Sequence, residues 1–168
     1  MRSHRLAPLL VLLLLALPGP LRAEPEAEPL AWEALIPPDW SPPPPDPYAF
    51  FSLHDETAPA DAAIPPEAPV VEALDGRWVV LEGWLVPLEW DVDRFREFLL
   101  VPYFGACIHV PPPPANQIVH LVLEEGLEEE ALYDPQRVTG LLRARRVDSE
   151  LAQAGYAMEQ ARSEVAQW

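Results

Sequence analysis

Prolines limit what this chain can fold into more than any other feature of its sequence. Thirteen of its 23 prolines fall between residues 24 and 69, and four more stand in a row at 111–114. Proline fixes φ and lacks an N–H donor, so a run of prolines cannot lie in a central strand. Residues 24–69 also contain ten acidic residues and no arginine or lysine. This composition predicts an extended, acidic, proline-rich tether ahead of any folded domain.

Residues 1–23 have the pattern of a secretory signal peptide. Two arginines precede the apolar run 6–17, and a Leu-Arg-Ala sequence ending at Ala23 offers a small-residue cleavage site. The apolar run is shorter than the roughly 20 residues of a membrane-spanning helix, and Pro18 and Pro20 interrupt its continuation. We therefore predict cleavage after Ala23 and a soluble, periplasmic protein without a membrane span.

The charge of the chain restricts its partners. After cleavage, eight arginines remain against 27 acidic residues, a formal charge of −19, and the sequence contains no lysine. Such a chain repels phosphate backbones and anionic lipid surfaces, so nucleic acids and membrane surfaces are poor partners. Cations or a basic protein surface are the partners that the charge favours, although solubility alone also accounts for it.

Residues 70–168 carry the pattern of a mostly β domain. A strand is predicted from Trp78 to Leu88, and further strands are predicted at 98–101, 118–123, 137–147 and 155–159. Gly83 and Gly140 lie inside two of these strands, where glycine indicates a bulge or bend. Strongly bent strands in about 100 residues predict a small curved antiparallel barrel of the OB type, with a β-sandwich as the alternative.

Helical signals are short and lie between the strands. Polar sequence predicts a helical turn at 91–97, an acidic loop or helix start at 124–130 and a short helix at 149–154. Within the tether, the apolar residues of the segment 30–36 stand at helical spacing, which predicts an amphipathic turn docked on the domain or on a partner. A second apolar patch in the tether, at 48–51, has the same two interpretations.

The segment from Tyr103 to Gln117 contains the most unusual chemistry. It holds Cys107, the chain's single cysteine, and His109. On an extended chain these two side chains share a face, and sulfur with imidazole suits zinc or copper. A metal site needs more ligands, so His120, a second copy in a homodimer, or a partner would complete it. His54 in the tether is a further candidate ligand.

Two other interpretations of Cys107 stay open. A neighbouring imidazole can activate a thiol as a nucleophile, but the acidic protein field disfavours a thiolate, so an enzyme is the weaker hypothesis. Free cysteine also often serves as a small buried apolar residue.

The residues after the Cys-x-His pair predict a structural rim. Pro111, Pro112, Pro113 and Pro114 should form a stiff arm about 12 Å long, at about 3.1 Å per residue. Asn116 and Gln117 follow, and their amides can bind backbone carbonyls or a ligand. An exposed proline ridge would also suit docking into an aromatic groove.

Three stretches of this sequence resemble a known family. LVPYFGACIHVPPPPANQIV at 100–119, GWLVPLE at 83–89 and WEALIP at 32–37 resemble the bacterial exported family known as domain of unknown function 3299. Members have no established activity. The resemblance implies a companion of a transition-metal ABC transport system, with zinc the metal most often implicated. The matching motif residues are Tyr103, Cys107, His109, Pro111 to Pro114, Asn116 and Gln117.

The sequence therefore predicts an exported, non-enzymatic accessory protein of a transition-metal transport system. Its partners would be transporter components or another exported protein. The Cys-x-His-x-Pro segment would handle metal or dock a partner. A thiol-dependent enzyme and a metal-free interaction module are the alternatives.

Overall fold

The computed structural model describes residues 26–42, 68–89, 93–107 and 112–167. Several predictions from the sequence concern residues outside these ranges: the signal peptide at 1–23, the apolar patch at 48–51, His54, His109 and Pro111.

Strands make up most of the regular secondary structure in the described residues. They are β1 Glu28–Pro29, β2 Trp78–Pro87, β3 Phe95–Val101, β4 Val119–Leu127, β5 Gln136–Arg143, β6 Val147–Asp148, β7 Gln153–Ala154 and β8 Tyr156–Val165. The helices between them are short 3-10 turns at Trp32–Leu35, Glu72–Leu74, Ala115–Gln117 and Glu129–Tyr133. None of the helices in the described ranges is long and apolar enough to cross a membrane.

Five of the strands close into a barrel. Strand β2 pairs antiparallel with β3, β3 with β4, β8 with β5, and β5 again with β2. The circle is completed by β4 and β8, which run parallel, so the barrel is mixed rather than wholly antiparallel. This strand order confirms the prediction of a mostly β, OB-like barrel and excludes the β-sandwich.

Two apolar clusters lie on opposite faces of the barrel wall. Because side chains alternate along a strand, Phe98 and Leu100 of β3 point into the barrel, where they join the main core with residues of β2, β4, β5 and β8. Leu99 and Val101 point outward and are nevertheless buried. Ala106 and the β6–β7 hairpin cover them, forming a second cluster on the outside of the wall.

The 3-10 turn at Trp32–Leu35 is docked on the barrel, as its apolar spacing predicts. Strand β1 pairs parallel with β2, and the indole Nε1 of Trp32 donates to the carbonyl oxygen of Glu82 at 2.7 Å. Leu35 is fully buried in the main core. The residues just before the barrel therefore close part of its wall.

Several predicted element bounds are wrong. Residues 95–97 begin β3 instead of forming a helical turn, and β4 continues through residues 124–127. Strand β5 ends at Arg143, short of the predicted residue 147. The predicted helix at 149–154 is the β6–β7 hairpin, because the hydroxyl of Ser149 bonds the backbone of Ala152 and closes a turn.

Both glycines inside the predicted strands lie where a neighbouring strand comes close. A Cβ at Gly83 would overlap the carbonyl oxygen of Val101, so only glycine lets β2 approach β3 this closely. Opposite Gly140 the register between β5 and β8 shifts because β8 carries one extra residue there, so the bulge predicted in β5 lies in its partner strand. The final strand is also confirmed, and it extends to Val165.

Candidate functional site

The segment between β3 and β4 leaves the barrel through a tight backbone turn. Gly105 has φ +80° and Cys107 has φ +67°. A positive φ is uncommon for a residue with a side chain, and it persists only where the surroundings hold it. Here the neighbouring Ala106 is fully buried in the second cluster. The turn therefore fixes the direction in which the side chain of Cys107 projects from the backbone.

Cys107 packs partly buried against the second cluster. Burial raises the pKa of its thiol to about 11. The pKa of Tyr103 is also raised, first by its own burial and then by the proximity of Cys107. Metal ligation and nucleophilic attack both use the thiolate. A protonated, partly buried thiol fits a structural role better than either reaction.

His120 already has a partner. Its imidazole Nε2 lies 2.7 Å from Oε1 of Glu97, which stands diagonally across the β3–β4 ladder. Within the described ranges, no group of three or more histidine, cysteine or acidic side chains is arranged to hold a metal ion. The described residues therefore do not fit a resident zinc or copper ion. His109 lies outside them, so the predicted site of Cys107, His109 and His120 stays a prediction.

The amides of Asn116 and Gln117 bind backbone that precedes the barrel. Nδ2 of Asn116 donates to the carbonyl oxygen of Pro69 at 3.0 Å, and Nε2 of Gln117 donates to that of Trp32 at 2.8 Å. Asn116 is fully buried, and its Oδ1 has no hydrogen-bond partner among the described residues. The 3-10 turn after the prolines thus fastens both described parts of the tether to the domain.

The exposed part of this segment is aromatic. Tyr103 is 42% exposed and Phe104 is 58% exposed, although both are large apolar side chains. Pro113 is buried, and Pro112 and Pro114 are half-buried. The described prolines therefore pack as support and do not form an exposed ridge. We call Tyr103 and Phe104 the aromatic rim.

One tyrosine that the sequence analysis did not single out links these parts. Tyr156 is fully buried; its hydroxyl donates to the carbonyl oxygen of Leu35 at 2.9 Å and accepts from the N–H of Val71 at 2.6 Å. Burial raises its pKa, although the bond from Val71 acts in the opposite direction. The sequence feature that could have indicated this role is a tyrosine within an apolar strand, because the hydroxyl of a buried tyrosine requires a hydrogen-bond partner.

Comparisons with known proteins place the whole arrangement in one family. A family model described as "Protein of unknown function (DUF3299)" matches residues 32–165. The chain is similar to a DUF3299 family protein from Pseudomonas aeruginosa PAO1, with 42% sequence identity and a TM-score of 0.75 between the structures. That similarity covers 85% of this chain and 98% of the other. No curated protein matches the chain. Because the family model spans the docked turn, the barrel and the aromatic rim, this chain belongs to the DUF3299 family.

Proposed function

We propose that this chain is an exported, non-enzymatic accessory protein that docks onto a partner protein through its aromatic rim. The observation that carries the proposal is the exposure of Tyr103 and Phe104 on a segment whose other described apolar residues are packed. Adjacent exposed aromatic side chains on a fixed turn are typical anchors of protein interfaces, where they fill a pocket on the partner. The resemblance of the sequence makes a component of a transition-metal transport system the proposed partner.

The geometry supports docking over metal handling. Cys107 is partly buried, and the His120 imidazole is engaged by Glu97. A transient metal site would need His109 together with ligands from another molecule. Docking needs only the aromatic rim and the rigid support beneath it.

The geometry also supports docking over thiol chemistry. A nucleophilic cysteine is a thiolate in an electropositive, accessible environment. Here burial raises the pKa of Cys107 to about 11, in a protein with a formal charge of −16.

Site-specific photocrosslinking tests the proposal in a bacterium that exports the chain. Benzoylphenylalanine replaces Phe104 in one variant and Tyr133 in the control, since Tyr133 is at least as exposed, at 65% against 58%, and lies on the separate turn at Glu129–Tyr133. We expect one dominant adduct at residue 104, with a transporter component, and none at 133. Absence of an adduct at residue 104, or the same adducts from both positions, would overturn the docking proposal. An adduct with a protein unrelated to transport would overturn only the choice of partner.

A metal titration distinguishes docking from metal handling. Zinc and copper(I) are titrated into the exported chain, and into its Cys107→Ala and His109→Ala variants. We expect the same weak, millimolar binding for all three proteins. Micromolar binding that both substitutions abolish would replace the docking proposal with metal handling.

A further inference from the structure

The parallel seam of the barrel opens along half of its length. Strands β4 and β8 pair from Val119 and Tyr156 as far as Leu123 and Ala161, and beyond that point they share no register. Strand β4 pairs with β3 at Val122 and, after an irregular stretch at 123–126, again at Leu127, while β8 stays beside β5 to Val165. The ends of the two strands therefore diverge.

Two backbone features cause the divergence. Gln160 has φ +52° and is the extra residue of a bulge in β8, seen against both neighbouring strands. A bulge bends its strand and increases the local twist. On the other side, Gly126 has φ +64°, and Arg94 holds the carbonyl oxygens of Glu125 and Gly126 at 3.0 and 2.8 Å. Both strands are thus held apart by features within the chain.

A groove of about 730 Å³ occupies the opening. Its walls come from both strands and include Val122, Glu124 and Glu125 of β4 and Met158, Ala161 and Ser163 of β8. Binding clefts in proteins are commonly about 300–1,000 Å³. The groove is therefore large enough for several residues of an extended chain.

The direction of the backbone shows which strand edge faces the groove. The N–H of Ala166 donates to Pro135 at 2.8 Å, on the β5 side. Successive residues of a strand alternate in direction, so the N–H groups of Ser163 and Val165 point away from β5. Val165 is 52% exposed. Among the described residues, no strand pairs with this edge of β8 at Ser163–Val165, whereas on β4 the carbonyl oxygens of Glu125 and Gly126 already accept from Arg94.

We propose that the groove binds an extended, basic segment of a partner protein, which adds as a strand to the β8 edge at Ser163 and Val165. An occupant of this edge must supply backbone donors and acceptors in extended conformation, which a β-strand does. Its side chains would meet Glu124 and Glu125, which are exposed and have no ion pair among the described residues. The charge of −16 favours the same basic partner. Arg145 and Arg162 also border the groove, and Arg162 is already engaged within the chain.

Amide hydrogen exchange on the full-length chain tests the proposal. The first probe is a synthetic octapeptide of alternating lysine and valine, and the second replaces its lysines with glutamates. Two further lysine–valine peptides carry N-methyl groups on every second backbone amide, one on the odd-numbered and the other on the even-numbered residues. We expect the unmodified lysine peptide to slow exchange at Ser163 and Val165 at least tenfold. The glutamate peptide and one of the two N-methylated peptides should not slow this exchange.

Two variants complete the test. Val165→Pro removes an N–H that points away from β5 and leaves the β5 side intact, so binding should be lost. Val165→Thr keeps this N–H and should bind normally. Exchange at Ala166 reports whether the pairing of β8 with β5 survives in both variants. If Val165→Pro does not fold, the N-methylated peptides test strand addition on the unaltered chain. Protection of Ser163 and Val165 in the free chain, no binding of the lysine peptide, or undiminished binding by a folded Val165→Pro variant would overturn strand addition. Equal binding of the glutamate peptide would overturn the basic character of the partner.

Discussion

Removing one oxygen atom tests how the tether is fastened to the barrel. The substitution Tyr156→Phe keeps the buried ring but deletes the hydroxyl that joins β8 to Leu35 and Val71. These bonds span 121 and 85 residues of sequence. The hydroxyl is therefore a direct link from the final strand to Leu35 in the tether and to Val71 just after it.

The expected loss of stability follows from the two backbone groups that lose their hydrogen-bond partner. The carbonyl of Leu35 belongs to a fully buried residue, so losing its donor leaves a buried acceptor unpaired at about 1–3 kcal/mol. Val71 is half-buried, and water can replace part of its bond, which limits that loss to about 1 kcal/mol. Together they predict that the free energy of unfolding falls by about 2–4 kcal/mol, with no new cavity of appreciable size.

Urea unfolding followed by tryptophan fluorescence measures this change. Tyr133→Phe is the matched control, because that side chain is exposed and lies outside the main core, and it should change stability by less than about 0.5 kcal/mol. The slope with urea should stay the same in both variants, so that a shift in midpoint reports stability alone. A loss below about 0.5 kcal/mol for Tyr156→Phe would refute the conclusion that this hydroxyl holds the tether.

Other substitutions probe the backbone and the thiol. Gly83→Ala should lower the free energy of unfolding by about 3 kcal/mol, because its Cβ would overlap the Val101 carbonyl. Gly76→Ala should lower it by only about 1–2 kcal/mol, because φ is positive there but the Cβ would meet only an ordinary contact with Arg143 at 3.7 Å. Urea unfolding measures both changes. Iodoacetamide at pH 8 should alkylate Cys107 about tenfold more slowly in the native protein than in the urea-unfolded chain. A pKa of about 11 lowers the thiolate fraction about 100-fold, and the higher nucleophilicity of the more basic thiolate recovers about tenfold of the rate. Equal rates would contradict the buried thiol. Because the folded state retains this proton more tightly than the unfolded chain, stability should fall as pH rises from 9 to 11, and Cys107→Ala should remove that part of the fall. Asn116→Asp should lower the melting temperature at pH 7, because a buried carboxylate cannot donate to Pro69, and acidification should narrow the difference from the wild type.

The strand pattern was predictable where one local signal dominated. A nearly continuous run of apolar, β-favouring residues with a central glycine located β2, and the prediction of a curved OB-like barrel followed from several such strands. Prediction failed at 149–154, where helix propensity competed with a turn closed by Ser149. It also failed at 124–127, because acidic residues on the solvent side of β4 have no apolar alternation to indicate a strand.

The candidate site was harder to predict, because its contacts join distant parts of the chain. The sequence singled out Tyr103, Cys107, Asn116 and Gln117, but it did not show that the two amides bind the tether or that Tyr103 is exposed. The partner of His120 is Glu97, and that pairing depends on the register of β3 against β4. Spacing along one strand cannot give the register between two strands.

The barrel type alone would suggest an oligonucleotide-binding protein, but the placement of the arginines argues against that function. Barrels of this type that bind nucleic acid use basic grooves with exposed aromatic side chains. Here four of the described arginines form ion pairs with the chain's own carboxylates: Arg77 with Glu28, Arg94 with Glu128, Arg137 with Glu82 and Arg143 with Glu159. Exposed pairs of this kind add little stability, but they neutralise guanidinium groups that would otherwise bind phosphate. Since 27 acidic residues outnumber 11 arginines, both docking proposals rest on aromatic side chains and an open strand edge and not on a basic surface.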